Sequence, residues 1–291
     1  MIKGSMVALV TPFTGDGSVN FKRVRELVEW HIREGTDAVL VLGTTAETPT
    51  LTAEEEDEIV RIAIEQAAGR IPIVVGSGSN NTTKAVETSL KYEKMGADAL
   101  LVISPYYNKA NKQGMINHFL TVADAVNTPI ILYNVPARTG ISISYDVLAA
   151  VCKHKNIVGI KEASGDMSLV CKFSKLIDDN FTVYSGNDDI NIPLMSMGGA
   201  GVISVLANIL PGVSHEMAAA YLSGDVKKAR DMQVKYMDLI NALFIETNPI
   251  PVKEAMNMMG LDAGGYRLPL YPMADENRAV LKGELEKLGL L

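Results

Sequence analysis

The stretch Ile157-Val158-Gly159-Ile160-Lys161 reads as a buried parallel strand that carries an amine at its carboxyl end. Unbroken apolar runs, without polar alternation, are what strands covered on both faces look like. Similar runs recur at 6–10, 38–42, 71–75, 99–103, 129–133, 181–184 and 201–205, which makes eight. Helical patterns alternate with them, at 21–34, 53–68, 82–95, 114–126, 145–151, 167–177 and 190–197. Thr52 ahead of Glu54-Glu55 reads as a capped helix start, and Gly35 and Gly96 as helix ends. Eight such β-α units predict an α/β fold, a (β/α)8 TIM barrel. An open doubly wound sheet fits less well, because it usually has fewer strands and a phosphate fingerprint.

Beyond the eighth run the pattern is helical, at 213–222, 226–244, 252–259 and 276–288, more helix than a barrel requires. The expected organisation is a barrel over 1–224 carrying the active site and a C-terminal helical appendage over 225–291. A chain of 291 residues, 47% hydrophobic, buries a core without disulfides or metal. Its net charge of -7 recommends neither nucleic acid nor an anionic membrane as partner. Small soluble ligands fit better. The apolar run at 6–10 is too short for a signal-peptide core, and no run approaches a membrane span, so a cytoplasmic location is expected.

Cys152 and Cys171 have no CxxC or zinc spacing and read as reduced structural thiols. His31, His118, His154 and His215 fall in helical patterns, away from strand ends. Asp188-Asp189 invite a metal, but adjacent carboxylates without a third ligand make a poor site, so none is expected.

Barrel sites assemble where strands end at the carboxyl face. There the chain places Gly43-Thr44-Thr45-Ala46-Glu47, Ser104-Pro105-Tyr106-Tyr107-Asn108, Tyr133 to Gly140, Lys161-Glu162-Ala163-Ser164 and Ser185-Gly186-Asn187-Asp188-Asp189. The other lysines, such as Lys22, Lys91, Lys172 and Lys227-Lys228, read as lying in helices or loops among polar neighbours. Apolar walls disfavour the charged form of an amine, and an uncharged amine is a nucleophile for carbonyl compounds. The proton transfers of imine chemistry suit hydroxyls such as those of Tyr133, Thr44 and Tyr107. Arg138, the one arginine at a predicted strand end, suits a substrate carboxylate, and Thr45 a second one. Each residue also has a plainer reading: a snorkelling lysine, a capped threonine turn, an interface aromatic, a structural ion pair. Their convergence on one face favours the chemical reading.

The segments 43–45, 104–107, 133–140, 159–163 and 248–253 together resemble the dihydrodipicolinate synthase family, a branch of the pyruvate-dependent class I aldolases that include N-acetylneuraminate lyase. The resemblance spans nearly the whole chain. It implies a Schiff-base lyase that condenses pyruvate with aspartate-4-semialdehyde to 4-hydroxy-tetrahydrodipicolinate, the first committed step toward diaminopimelate and lysine. It further implies that Lys161 makes the pyruvate imine, with no cofactor, and that Thr44, Tyr133 and Tyr107 relay protons, Tyr107 from a neighbouring subunit. Arg138 would take the semialdehyde carboxylate and Thr45 that of pyruvate, with Gly186 and the Ile203 carbonyl lining the pocket. A homotetramer built from tight dimers is also implied.

Sialic acid and keto-deoxy-sugar aldolases share Gly-Thr-Thr and the strand lysine, and Arg138 argues against them because sugar hydroxyls need neutral partners. A catalytically silent keto-acid-binding barrel is a further alternative. A phosphate-binding barrel isomerase is disfavoured, since Gly198-Gly199 precede the eighth strand instead of following it. Two departures from the family pattern stand out. Ala46 occupies a position where the family usually has glycine. In lysine-inhibited members, histidines and a glutamate help bind the effector, and here the matching positions hold Ala53, Glu56 and Lys84, with Asn80 and Tyr106 retained. Weak or absent lysine inhibition is therefore expected.

Overall fold

The computed structural model describes residues 1–291, and its eight strands close into a single ring in chain order. They are β1 (Gly4–Ala8), β2 (Ala38–Val41), β3 (Ile73–Gly76), β4 (Ala99–Ile103), β5 (Ile130–Asn134), β6 (Ile157–Glu162), β7 (Thr182–Ser185) and β8 (Gly201–Ser204). Every adjacent pair is parallel, and β8 returns to β1 in the register Gly4↔Gly201 through Val7↔Ser204. That seam needs glycine: a β-carbon on Gly201, whose φ is 155°, would stand 1.9 Å from the Gly4 carbonyl oxygen.

Helices follow the strands as the alternation predicts: α1 (Phe21–Arg33), α2 (Ala53–Ala67), α3 (Thr82–Met95), α4 (Lys112–Ala125), α5 (Pro136–Thr139), α6 (Tyr145–Val151), α7 (Met167–Phe173), α8 (Asn191–Ser196) and α9 (Pro211–Leu222). Thr52 and Glu55 form a reciprocal capping box at the start of α2, and Asn81, Asn111 and Ser144 cap α3, α4 and α6. Alternate strand residues explain the unbroken apolar runs. Val39 and Val41 face the helices, whereas Ala38 and Leu40 fill the barrel interior. Each such valine or leucine side chain, fully buried, contributes about 1.5–3 kcal/mol.

β6 runs two residues further than the apolar run alone suggests. Lys161 is therefore part of the ladder, paired with Tyr133 and Tyr184, and points into the ring while Glu162 points out. His154 lies in the turn before β6 instead of a helix, its Nε2 3.1 Å from Asp124 Oδ1. The C-terminal helices are α10 (Val226–Lys235), α11 (Met237–Ala242), α12 (Ile250–Met258) and α13 (Asp275–Lys287). The pattern read as one helix over 226–244 breaks at Tyr236. No helix is long and apolar enough to cross a membrane.

Candidate active site

At the carboxyl face a cavity of about 420 Å³ opens above the ring. Lys161, 6% exposed, rises into it from β6, its Nζ 4.6 Å from the centre of the Tyr133 ring on the adjacent β5. Thr44, Thr45, Arg138 and Gly186 line the same space. A β-carbon on Gly186 would lie 3.0 Å from Lys161 Cε and 2.7 Å from the Ala163 β-carbon, so glycine keeps the lysine stem free.

The threonines sit in a 3-10 turn, Thr44–Ala46, between two residues in the left-handed region, Leu42 (φ 56°) and Glu47 (φ 55°). Non-glycine residues in that region carry strain that the surroundings must hold. Ala46 is not one of them: its methyl is buried and its carbonyl accepts from Thr11 Oγ1 at 2.7 Å. The turn thus accommodates the β-carbon.

What holds the turn is ionic and lies beneath it. Glu47 Oε1 meets Lys253 Nζ at 2.8 Å, both side chains being wholly buried. Glu47 Oε2 accepts from the Arg267 main-chain N–H at 3.2 Å, and the Arg267 guanidinium grips both oxygens of Glu55 at 2.6 Å. The Lys253 ammonium also donates to the Thr11 carbonyl and lies 4.2 Å from the centre of the Phe13 ring. Burial pulls Lys253 down to about 8 while the Glu47 carboxylate pulls the other way. The expectation that the other lysines have polar neighbours therefore fails at Lys253. Its place on the apolar stripe of α12, beside Val252, Ala255 and Met256, is the signal that marks it.

Arg138 stands at the exposed rim, and its Nη2 donates to the Asn248 carbonyl at 2.9 Å. Asn248, Asn241 and Phe244 complete the wall, so the C-terminal region contributes to the cavity as well as covering the barrel. Sequence reasoning assigned none of these three a role, although Asn248 opens a segment it singled out. Asp189 also lines the cavity, and burial, with Asp188 beside it, raises its pKa. Asp188 instead turns inward, its Oδ2 accepting from the backbone of Val205 and Leu206 at 2.8 and 3.0 Å. That carboxylate links the strand-7 loop to the strand-8 loop.

The structure does not bring every expected residue together. Tyr107 is 90% exposed, with φ 68°, and lies outside the cavity of its own chain. Ile203 packs in the barrel interior with Met6 and Tyr184, and Val205 forms the wall above it. A second cavity of about 240 Å³ shares Thr44 and Tyr133 with the first and is lined by Glu56, Lys84 and Tyr106. Ala53 and Asn80 are not in its wall, although Asn80 Nδ2 donates to the Tyr106 carbonyl at 3.3 Å. Burial raises the Glu56 carboxyl, which accepts from Tyr92 Oη at 3.1 Å.

Comparison with known proteins agrees with this geometry. The 4-hydroxy-tetrahydrodipicolinate synthase of Thermoanaerobacter sp. (strain X514) is 53% identical over 292 residues, covering 100% of this chain and 98% of that protein. The crystal structure of dihydrodipicolinate synthase from Thermotoga maritima superposes with a TM-score of 0.97 at 39% identity, covering both chains fully. The chloride-inhibited dihydrodipicolinate synthase from Acinetobacter baumannii, complexed with pyruvate, gives 0.97 at 42% identity, again covering both chains fully. The model of the dihydrodipicolinate synthetase family matches residues 1–288, and the chain belongs to that family.

Proposed function

We propose that this protein is a 4-hydroxy-tetrahydrodipicolinate synthase, an enzyme that condenses pyruvate with L-aspartate-4-semialdehyde at the first committed step toward diaminopimelate and lysine. The observation that carries this reading is the placement of Lys161. It is the amine inside a walled cavity, against a tyrosine ring, with an arginine at the rim.

The chemistry follows from that placement. The uncharged amine adds to the pyruvate carbonyl carbon, and loss of water leaves a protonated imine. That cation is the electron sink, so no cofactor is required. Loss of a methyl proton gives an enamine whose carbon attacks the aldehyde, and the aldehyde oxygen takes up a proton. Thr44 and Tyr133 carry these protons in this reading, which their being the hydroxyl-bearing residues that line both cavities supports. The semialdehyde's own amino group then closes the ring at the imine carbon and releases Lys161. Thr45 serves the pyruvate carboxylate and Arg138 that of the semialdehyde, with charge-assisted hydrogen bonds as the source of affinity.

In this reading Tyr107 works in a partner's site, within a homotetramer in the cytoplasm. The barrel comprises 1–224 and the helical region 225–291. Incubation with pyruvate and borohydride, followed by peptide mapping, tests the core of it. The expected adduct is on Lys161 and is lost in Lys161→Ala. An adduct elsewhere, or trapping without turnover of the semialdehyde, overturns the assignment.

A further inference from the structure

Asn248 touches both groups that the cavity offers to anions. Its side-chain Nδ2 donates to Thr45 Oγ1 at 2.9 Å, and its main-chain carbonyl accepts from Arg138 Nη2 at 2.9 Å. It is 7% exposed and reaches the carboxyl face from the segment just before α12. Its side-chain oxygen is buried without a partner. Turning the amide over would bury both N–H donors where one carbonyl oxygen now goes unpaired, which makes the observed orientation the cheaper one.

That orientation determines what Thr45 can do. A hydroxyl has one hydrogen, and here its oxygen already accepts from the amide. No other protein group receives a bond from Thr45 Oγ1, and Thr45 lines the cavity. Its proton is therefore committed to the cavity side, where a carboxylate needs a donor. We infer that Asn248 is a positioning residue that makes Thr45 an obligatory hydrogen-bond donor to the keto-acid carboxylate and, through its main-chain carbonyl, holds Arg138 at the rim for the second substrate's carboxylate. This rests on the proposed reading of the cavity as a keto-acid site.

The test uses borohydride trapping of pyruvate on the intact enzyme, with the half-saturating pyruvate concentration as readout. Asn248→Asp has almost the same shape but, when ionised, offers Thr45 only an acceptor. The Thr45 proton then turns away from the substrate, and a negative charge stands beside the anion. Half-saturation is expected to rise by about 10- to 100-fold at neutral pH, the range for losing a hydrogen bond to a charged group. It should recover as the pH falls through the titration of the introduced carboxyl, because the protonated acid donates again. Asn248→Ala serves as a second variant, should the first fail to fold, and is combined with Thr45→Val. If Asn248 acts through the Thr45 hydroxyl, the alanine change raises half-saturation in wild type and does nothing further once that hydroxyl is gone. Full additivity of the two changes, or an Asn248→Asp enzyme that saturates like wild type across pH, overturns the inference. A wild-type chain that traps no pyruvate on Lys161 removes the keto-acid reading, and this inference with it.

Discussion

Gly186 stands so close to Lys161 that a β-carbon at 186 would fall 3.0 Å from the lysine Cε. The strand-7 loop and the strand-6 amine thus share a volume that only glycine leaves open. Gly186→Ala is expected to lower kcat by about 100-fold, the order seen when a reacting group is displaced by an ångström. The accompanying loss of stability should be modest, about 1–3 kcal/mol for one added carbon. Steady-state kinetics together with thermal unfolding check this. Wild-type kcat in a folded variant would show that the lysine stem has room to spare.

The buried Glu47–Lys253 pair gives a second prediction. Removing one partner leaves a charge stranded in the core, so Lys253→Ala should cost about 3–5 kcal/mol. The double variant Glu47→Leu, Lys253→Met removes both charges and should recover most of that stability. Its activity should remain low, because the turn bearing Thr44 and Thr45 loses the Arg267 main-chain contact at Glu47. Urea unfolding measures the first effect, and kcat on the refolded double variant the second.

His31 sets an acid limit. Burial lowers its pKa to about 3 from 6.5, and its Nδ1 sits 2.9 Å from Thr36 Oγ1 while Nε2 has no partner. The folded chain keeps this ring neutral where the unfolded chain protonates it. The unfolded state therefore binds the extra proton between those two values, and stability falls as the pH drops through that window. Between pH 7 and pH 5 the loss from this group should reach about 2 kcal/mol. His31→Gln should lose that much less over the same interval in urea titrations at the two pH values. Parallel curves for the two proteins would contradict it.

Tyr107 projects from the surface of its own chain, so its proposed role needs a second subunit. Mixing inactive Lys161→Ala subunits with impaired Tyr107→Phe subunits should restore activity in part, because some hybrid sites receive both intact residues. Sedimentation run alongside should show activity confined to the assembled species. A fully active monomer would refute the relay role.

L-lysine should inhibit weakly or not at all. The cavity beside Thr44 and Tyr133 carries the Lys84 side chain, an ammonium where a cationic effector needs an acid. Lys84→Glu is expected to increase sensitivity. Inhibition of the wild-type enzyme at millimolar lysine or below would count against this.

Much of the molecule was legible because a strand buried on both faces leaves a plain mark in sequence. All eight runs became strands, with no end moved by more than two residues and the run at 99–103 matched at both ends. Lys161 was legible for the same reason, as a charge set against an apolar run. Asn248 and Glu47 were not, because their importance comes from contacts 110 and 206 residues away, which no local pattern encodes. Lys253 lay between these cases, since its place on an apolar helix stripe is visible but its carboxylate partner is not. Tyr236 breaks the long C-terminal helix without a glycine or proline to announce it.

The brace under the threonine turn also orders events in time. Glu47 leaves the ribosome long before its ligands, which lie 206 and 220 residues downstream at Lys253 and Arg267. A nascent chain that already holds every strand still has a loose turn and an unneutralised carboxylate. The turn bearing Thr44 and Thr45 is therefore set only when the chain from Lys253 to Arg267 arrives, so a product released before that point is expected to lack its brace.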